Sequence, residues 1–327
     1  MASLAKQALA FVFIAQAALA AGAADCPKPD CFIRTVMVVV PFAAGGPTDQ
    51  VARAWATQLS KQLGQAVVVE NKPGAAGAIA MAAVAHAAPD SYTILVTNQG
   101  PITISPLVVT RMPVDPAKDL VAAARIAVAP QVLVARTDRA YTNLKEFADY
   151  AQKRPGNVTF GSPGNASLGH LLGERFSSIS GAKLQHVTYR GQGPALSDLR
   201  GGQLDSVFTD LGAVSEDIKA GRLRALAVSG ERRTGLNPEI PTFAELGVRG
   251  ADSGWIGAFF PAKTDPAIIS RLNTETRKAL ADPEFQKRLR DVGLEDGALD
   301  SAAFARTIAS ETAGWTTLVK QANIKAD

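Results

Sequence analysis

The sequence predicts an α/β protein of two domains with a cleft between them. Short β-branched apolar runs alternate with amphipathic segments along most of the chain, the pattern of strands joined by crossover helices. At 327 residues the chain exceeds the usual size of one domain. Glycine- and serine-rich turns follow one apolar run after another, where open α/β sheets bind ligands.

Composition narrows the class. The chain is 47% hydrophobic, enough for sizeable cores, and its net charge is +4. Lys and Arg are dispersed, so no basic run offers a nucleic-acid footprint.

Residues 1–24 read as a signal peptide. Lys6 is the positive region, Ala8 to Leu19 is apolar but short for a bilayer span, and Ala18-Leu19-Ala20 fits a small-x-small cleavage pattern. Cleavage is expected to start the mature chain between Ala21 and Asp25. The alternative, an uncleaved anchor, is disfavoured by the short alanine-rich run. Asp25 stands where a lipoprotein Cys26 would need a small residue. Cys26 and Cys31 are the only cysteines, and in an oxidising compartment they are expected to form a disulfide. Metal binding is the rival, discounted because only Asp25 and Asp30 lie nearby and no His does.

Val36 to Val40 reads as a buried strand ended by Pro41. Phe42 to Gly46 is a loop, Gly46 the N-cap of a helix, and Pro47 its first residue. Asp49 then falls at N3, where a carboxylate can bond back to the cap amide. Val51, Trp55, Leu59 and Leu63 form the stripe that faces a sheet. Unpaired amides at this helix start can take an anion. A tight turn without a ligand fits the same spacing.

Gln65 to Glu70 is a second strand. Gly74 to Gly77 opens a helix that runs to His86, and Tyr92 to Thr97 is a third strand ending at Asn98. The expected sheet is parallel. Ala122 to Arg136, broken at Pro130, crosses to a second α/β series. There the strands are Val158 to Gly161, Gln185 to Tyr189, Ser206 to Thr209 and Leu223 to Val228. The loops Ser162 to Ser167 and Arg190 to Pro194 each lead into a helix. Gly254 to Pro261 is the return crossing, followed by helices at Ile268 to Leu280, Pro283 to Val292 and Ser301 to Gln321. The division is 32–131 plus 253–327 for domain 1 and 132–252 for domain 2.

Enzyme motifs are missing. No GxGxxG, P-loop or HExxH occurs, and Asn165-Ala166-Ser167-Leu168-Gly169 fails the GxSxG elbow. His86, His170 and His186 are scattered and read as helix-face or strand residues rather than ligands. Asp49 and Asp210 could form an acid/base pair, but capping and loop hydrogen bonds are the simpler roles.

The motifs VVVPFAAGGPTDQVAR, LGQAVVVENKPGAAGAIA, AAPDSYTILV, FGSPGNASLGHL, HVTYRGQGPALSDLRGGQLD and IPTFAELG closely resemble the substrate-binding proteins of tripartite tricarboxylate transporters, the Bordetella uptake gene (Bug) family. The likeness runs from about Arg34 to the last helices. It implies a type II-like two-domain periplasmic binding protein that closes on an organic carboxylate, di-, tri- or aromatic, and presents it to transporter membrane subunits. The physical reading agrees: no cofactor or metal is called for, a periplasmic monomer is expected, and an enzyme is only the third reading. The runner-up is a periplasmic ligand presenter for a signalling system. By position, Phe42, Ala43, Ala44, Gly45, Gly46, Thr48 and Asp49 correspond to the family's first carboxylate loop, and Gly74 through Gly77 to its second. Ser162, Asn165, Ala166 and Ser167 correspond to the loop that meets the ligand's other end, with Asp210 after the next strand. Asn98 lies at a neighbouring strand end, so Gly77 and Asn98 join the candidate site. Pro47, Ser91 and Ala166 depart from the family pattern, and the paired cysteines are not a general family feature.

Overall fold

Two mixed β-sheets, each covered by helices on both faces, carry the fold in a computed structural model that describes residues 32–325. The expected signal peptide, Cys26 and Cys31 lie outside the described residues.

The first sheet holds β1 (Val36–Val40), β2 (Val67–Asn71), β3 (Thr93–Asn98), β4 (Leu120–Ala129), β10 (Gly254–Pro261) and β11 (Glu295–Asp296), in the order β11-β4-β10-β3-β1-β2. The second holds β5 (Gln131–Arg136), β6 (Val158–Ser162), β7 (Leu184–Thr188), β8 (Ser206–Asp210) and β9 (Leu223–Val228), in the order β7-β6-β8-β5-β9. Pro130 alone separates β4 from β5, so the long apolar run is two strands of two sheets joined at the proline. Proline lacks the N–H a continuous ladder needs, which suits it to that junction.

The sheets are not wholly parallel. β1 pairs in parallel with β2 and β3, and β6 with β7 and β8, but β10 runs antiparallel between β3 and β4, and β5 antiparallel between β8 and β9. The cause is the double crossing. β10 and β5 enter their sheets from the end that faces the other domain, so they run away from it, whereas β1, β3, β6 and β8 run towards it.

The helix Pro47–Leu63 packs Val51, Trp55 and Leu59 against β1, with Trp55 donating its indole N–H to Thr276 Oγ1 at 3.2 Å. Each of these side chains is fully or nearly fully buried, on the order of 1.5–3 kcal/mol apiece. The opposite face of this sheet is covered by Ala78–Ala85 and by the first half of Ser301–Gln321, where Phe304 meets Trp255 edge to face at 4.9 Å. The second half of that last helix does something else. Trp315, Leu318, Val319 and, beyond it, Ile324 belong to the second sheet's core with Phe147, Phe160, Phe176 and Phe208. Arg175 lies over the Trp315 ring at 5.4 Å and donates to Gly314 O. Between the two halves sits Glu311, 6% exposed and accepting the Trp255 indole N–H at 2.9 Å.

Candidate functional site

The register places the site. β3 ends at Asn98, opposite Ile256 near the start of β10, and β8 ends at Asp210, opposite Gln131 at the start of β5. Both strand ends therefore lie beside the crossings, and the loops after β1, β3, β6 and β8 face the space between the sheets.

On the first side, Gly46 is the N-cap of Pro47–Leu63 in extended conformation, and Pro47 is the first helical residue, as expected. Asp49 is 2% exposed and its carboxylate is fully engaged. Oδ2 accepts Gly45 N–H at 2.8 Å and Arg53 Nε at 3.0 Å, and Oδ1 accepts Asn71 Nδ2 at 2.8 Å. Asn71 also reaches Phe42 O at 3.0 Å, so one side-chain pair ties the loop to both β2 and the helix. The expected bond from Asp49 to the cap amide falls one residue earlier, on Gly45. Gly45 sits at φ +85, which turns its N–H towards the carboxylate. Burial raises the Asp49 pKa, but Arg53, the Gly45 amide and Asn71 outweigh it and hold the group below its ordinary value. Asp49 is thus an ionised anchor that ties the loop, through Gly45, to Arg53 of the helix and Asn71 of β2. The Gly46 and Thr48 amides have no acceptor among the described residues, as a helix start leaves them.

The next turn is strained. Gly74, Ala75, Ala76 and Gly77 all have positive φ, two of them alanines. A left-handed alanine costs roughly 1–2 kcal/mol, and such strain gathers at binding loops. Gly77 admits no side chain, because a Cβ there would lie 2.7 Å from Pro101. Phe42, Gly77 and Asn98 come together with Pro41 and Pro101 around a cavity of about 420 Å³. Asn98 Oδ1 accepts Gly100 N–H at 3.1 Å, at the start of a one-turn π-helix (Gly100–Ile104) that sequence reading did not anticipate. Ala43 also lines this cavity, whereas Ala44, Gly45, Gly46, Thr48 and Asp49 follow in the chain without lining it.

On the second side, Ser162 is fully buried, donating to Gly164 O at 2.9 Å and lying 2.7 Å from His186 Nε2. Ser167 caps Leu168–Ser180 by accepting His170 N–H at 3.3 Å. Ala166 sits at φ +53. Asn165 spends its amide on Lys325 O at 2.7 Å, tying the loop to the end of the chain. The Asp210 carboxylate accepts from the amides of Gln131 and Gln192, and burial raises its pKa against those two donors. No hydrogen bond or ion pair joins Asp49 to Asp210 or the first-side loops to Ser162–Ser167 among the described residues. Sequence reading missed Asn71, Gln131, Gln192, His170 and His186 as partners. Position gave a signal for two of them: Asn71 ends a strand as Asn98 does, and Gln192 lies in the flagged Arg190–Pro194 loop.

Backbone amides, small hydroxyls and side-chain amides thus gather around the anchored Asp49 and Asp210 at these strand ends. Residues 51–324 match the family model described as the tripartite tricarboxylate transporter family receptor. The fold is similar to the periplasmic binding protein BugD (TM-score 0.72, 32% identity, covering 90% of this chain and 100% of that one). It is similar to MatC from Rhodopseudomonas palustris with bound malate (TM-score 0.71, 31% identity, 88% and 99% covered). It is likewise similar to R. palustris Rpa4515 with adipate (TM-score 0.75, 33% identity, 90% and 98% covered).

Proposed function

The chain belongs to the tripartite tricarboxylate transporter receptor family, a family of substrate-binding proteins and not of enzymes, and from that premise we propose that it captures an organic dicarboxylate in the periplasm and delivers it to the membrane subunits of such a transporter. In this reading residues 1–24 are removed on export, Cys26 and Cys31 form a disulfide, and the mature protein is a monomer. Residues 32–131 with 253–327 form one domain and 132–252 the other, the last helix of the first reaching into the core of the second.

One carboxylate sits against Gly46 and Thr48 at the helix start, beside Phe42, Gly77 and Asn98. The other end of the ligand meets Ala166 and Ser167, with Ser162 buried beneath the loop and Gln192 and Asp210 behind it. The observation that carries this reading is the pair of strand-end loop sets beside a double crossing, the first of which opens on the unpartnered Gly46 and Thr48 amides. The malate and adipate held by two relatives support the ligand class. A ligand contacting both sides favours the closed arrangement by its differential affinity.

Calorimetry against malate, adipate, citrate and benzoate tests the reading. A dicarboxylate is expected to bind in the micromolar range or tighter, on the order of −8 kcal/mol. Saturable binding of neutral or cationic solutes alone would overturn it.

A further inference from the structure

The chain has three histidines, and two of them meet beneath the second loop. The rings of His170 and His186 stack with centroids 3.7 Å apart and planes 10° apart. Phe160 of β6 lies beside both, 4.9 Å from the His186 ring and 6.4 Å from the His170 ring.

Each ring grips one end of Ser162–Ser167. The Ser162 hydroxyl donates its proton to Gly164 O, so it accepts from His186, whose Nε2 then carries the hydrogen. His170 Nδ1 accepts Ala166 N–H at 3.1 Å, so that nitrogen is bare and Nε2–H points towards Glu174, 3.8 Å away. Ala166 is the residue in most need of a restraint, being a left-handed alanine. This use of the two side chains revises the reading of them as plain helix-face and strand residues.

We propose that His170 and His186 are positioning residues of the ligand loop: as a neutral stacked pair they hold Ser162 and Ala166 in place, and acid releases the loop by protonating them. The proposal rests on the reading of Ser162–Ser167 as a ligand-contacting loop. A proton on His170 Nδ1 turns an acceptor into a donor facing another N–H, and two stacked imidazolium rings repel.

The surroundings favour the neutral forms. Burial lowers both histidines to about 4, and for His186 the neighbouring His170 adds to the effect. Of the elements packed around the pair, the helix Leu168–Ser180 presents Glu174, itself pushed up by burial, and β6 presents Phe160. The segment after the last helix offers the Lys325 carbonyl to Asn165. The clamp is whole at neutral pH. It weakens as pH falls below the ordinary histidine value of about 6.5 and is lost on passing through about 4.

Amide exchange at Ala166 decides the matter, with malate and adipate calorimetry beside it. At pH 7, His170→Leu is expected to exchange Ala166 N–H about 5-fold faster than wild type, one neutral hydrogen bond's worth. His170→Asn, whose Oδ1 can stand in for Nδ1 and does not titrate, should restore protection. Between pH 6.5 and 4 the wild type should lose protection and affinity more steeply than His170→Asn/His186→Gln at matched pH. That comparison cancels the ligand's own titration. Wild-type protection in His170→Leu, or identical pH profiles for wild type and the double variant, would overturn the clamp. If His170→Leu fails to fold, the two pH profiles still decide. Exchange that behaves as expected, with affinity indifferent to the same variants, would uphold the clamp and overturn the assignment of this loop to the ligand.

Discussion

At the scale of single residues, the first loop separates two jobs that its sequence places side by side. Gly46 and Thr48 present donors, and Asp49 fixes the loop. A Cβ on Gly46 would meet only Ala43 O, at an ordinary 3.6 Å, and its φ of −71 suits any residue. Gly46→Val is thus expected to fold normally while its branched side chain crowds the helix-start amides and abolishes dicarboxylate binding. Asp49→Asn keeps the shape but places an NH₂ among donors. It should cost about 1–3 kcal/mol of stability and weaken binding less than Gly46→Val does. Little of that cost belongs to Arg53, which is half exposed. Because the folded pKa of Asp49 is lowered, its contribution is present above the ordinary carboxylate value and lost as pH falls through the folded one. Thermal melts with calorimetry on both variants check the ordering. The anchoring role of Asp49 was legible from its place at N3. Its partners were not, because Gly45 takes a φ that only the folded turn imposes and Asn71 arrives through the pairing of β1 with β2.

At the scale of elements, the strands and long helices were largely legible, since each carries its own period. What escaped was set by encounters between elements. The antiparallel sense of β10 and β5 follows from the direction of entry into a sheet, which no local pattern records. The left-handed run Gly74–Gly77 contains two alanines, where composition signals ordinary helix. The last helix reads as a plain amphipathic stripe, yet its middle buries Glu311. Burial pushes that carboxyl up to about 8, with Asp252 reinforcing the shift and the Trp255 N–H and Arg125 opposing it. The group is therefore protonated in the folded protein where it would ionise in the unfolded chain. Its contribution is complete below pH about 4.5 and is lost as pH rises through about 8, by roughly 1.4 kcal/mol per unit of pH. Glu311→Gln retains an acceptor for Trp255. It is expected to flatten the stability profile between pH 5 and 8, read by urea unfolding at a series of pH values. An unchanged slope would mean that Glu311 does not titrate in that range.

At the scale of the molecule, the two sheets touch through more than their crossings. Gly212, two residues past Asp210, approaches Gly293 so closely that a Cβ on Gly293 would fall 2.2 Å from the Gly212 Cα. Glu295 of β11 accepts Thr234 Oγ1 at 2.7 Å and Gly235 N–H at 2.6 Å from the other domain. Two crossings and this polar seam are compatible with hinge motion, and the second half of the last helix, packed in the second sheet's core through Trp315, Leu318 and Val319, then has to move with that sheet. Saturating dicarboxylate is expected to lower the radius of gyration seen by small-angle scattering. The same radius with and without bound ligand would indicate a rigid pair. The two-domain organisation was legible because alternation, length and the proline-broken apolar run all point the same way.

The shared last helix bears on the order in which the chain can fold. Every strand of the second sheet precedes residue 230, yet Trp315, Leu318, Val319 and Ile324 are needed to seal its core. A chain emerging amino end first therefore has both sheets in hand while one face of each is still open, the other faces drawing on no residue of the last helix. Phe304 closes one and Trp315 the other within a single stretch of helix. Completion of those two faces is thereby postponed to the same late moment, when the one helix arrives to cover both.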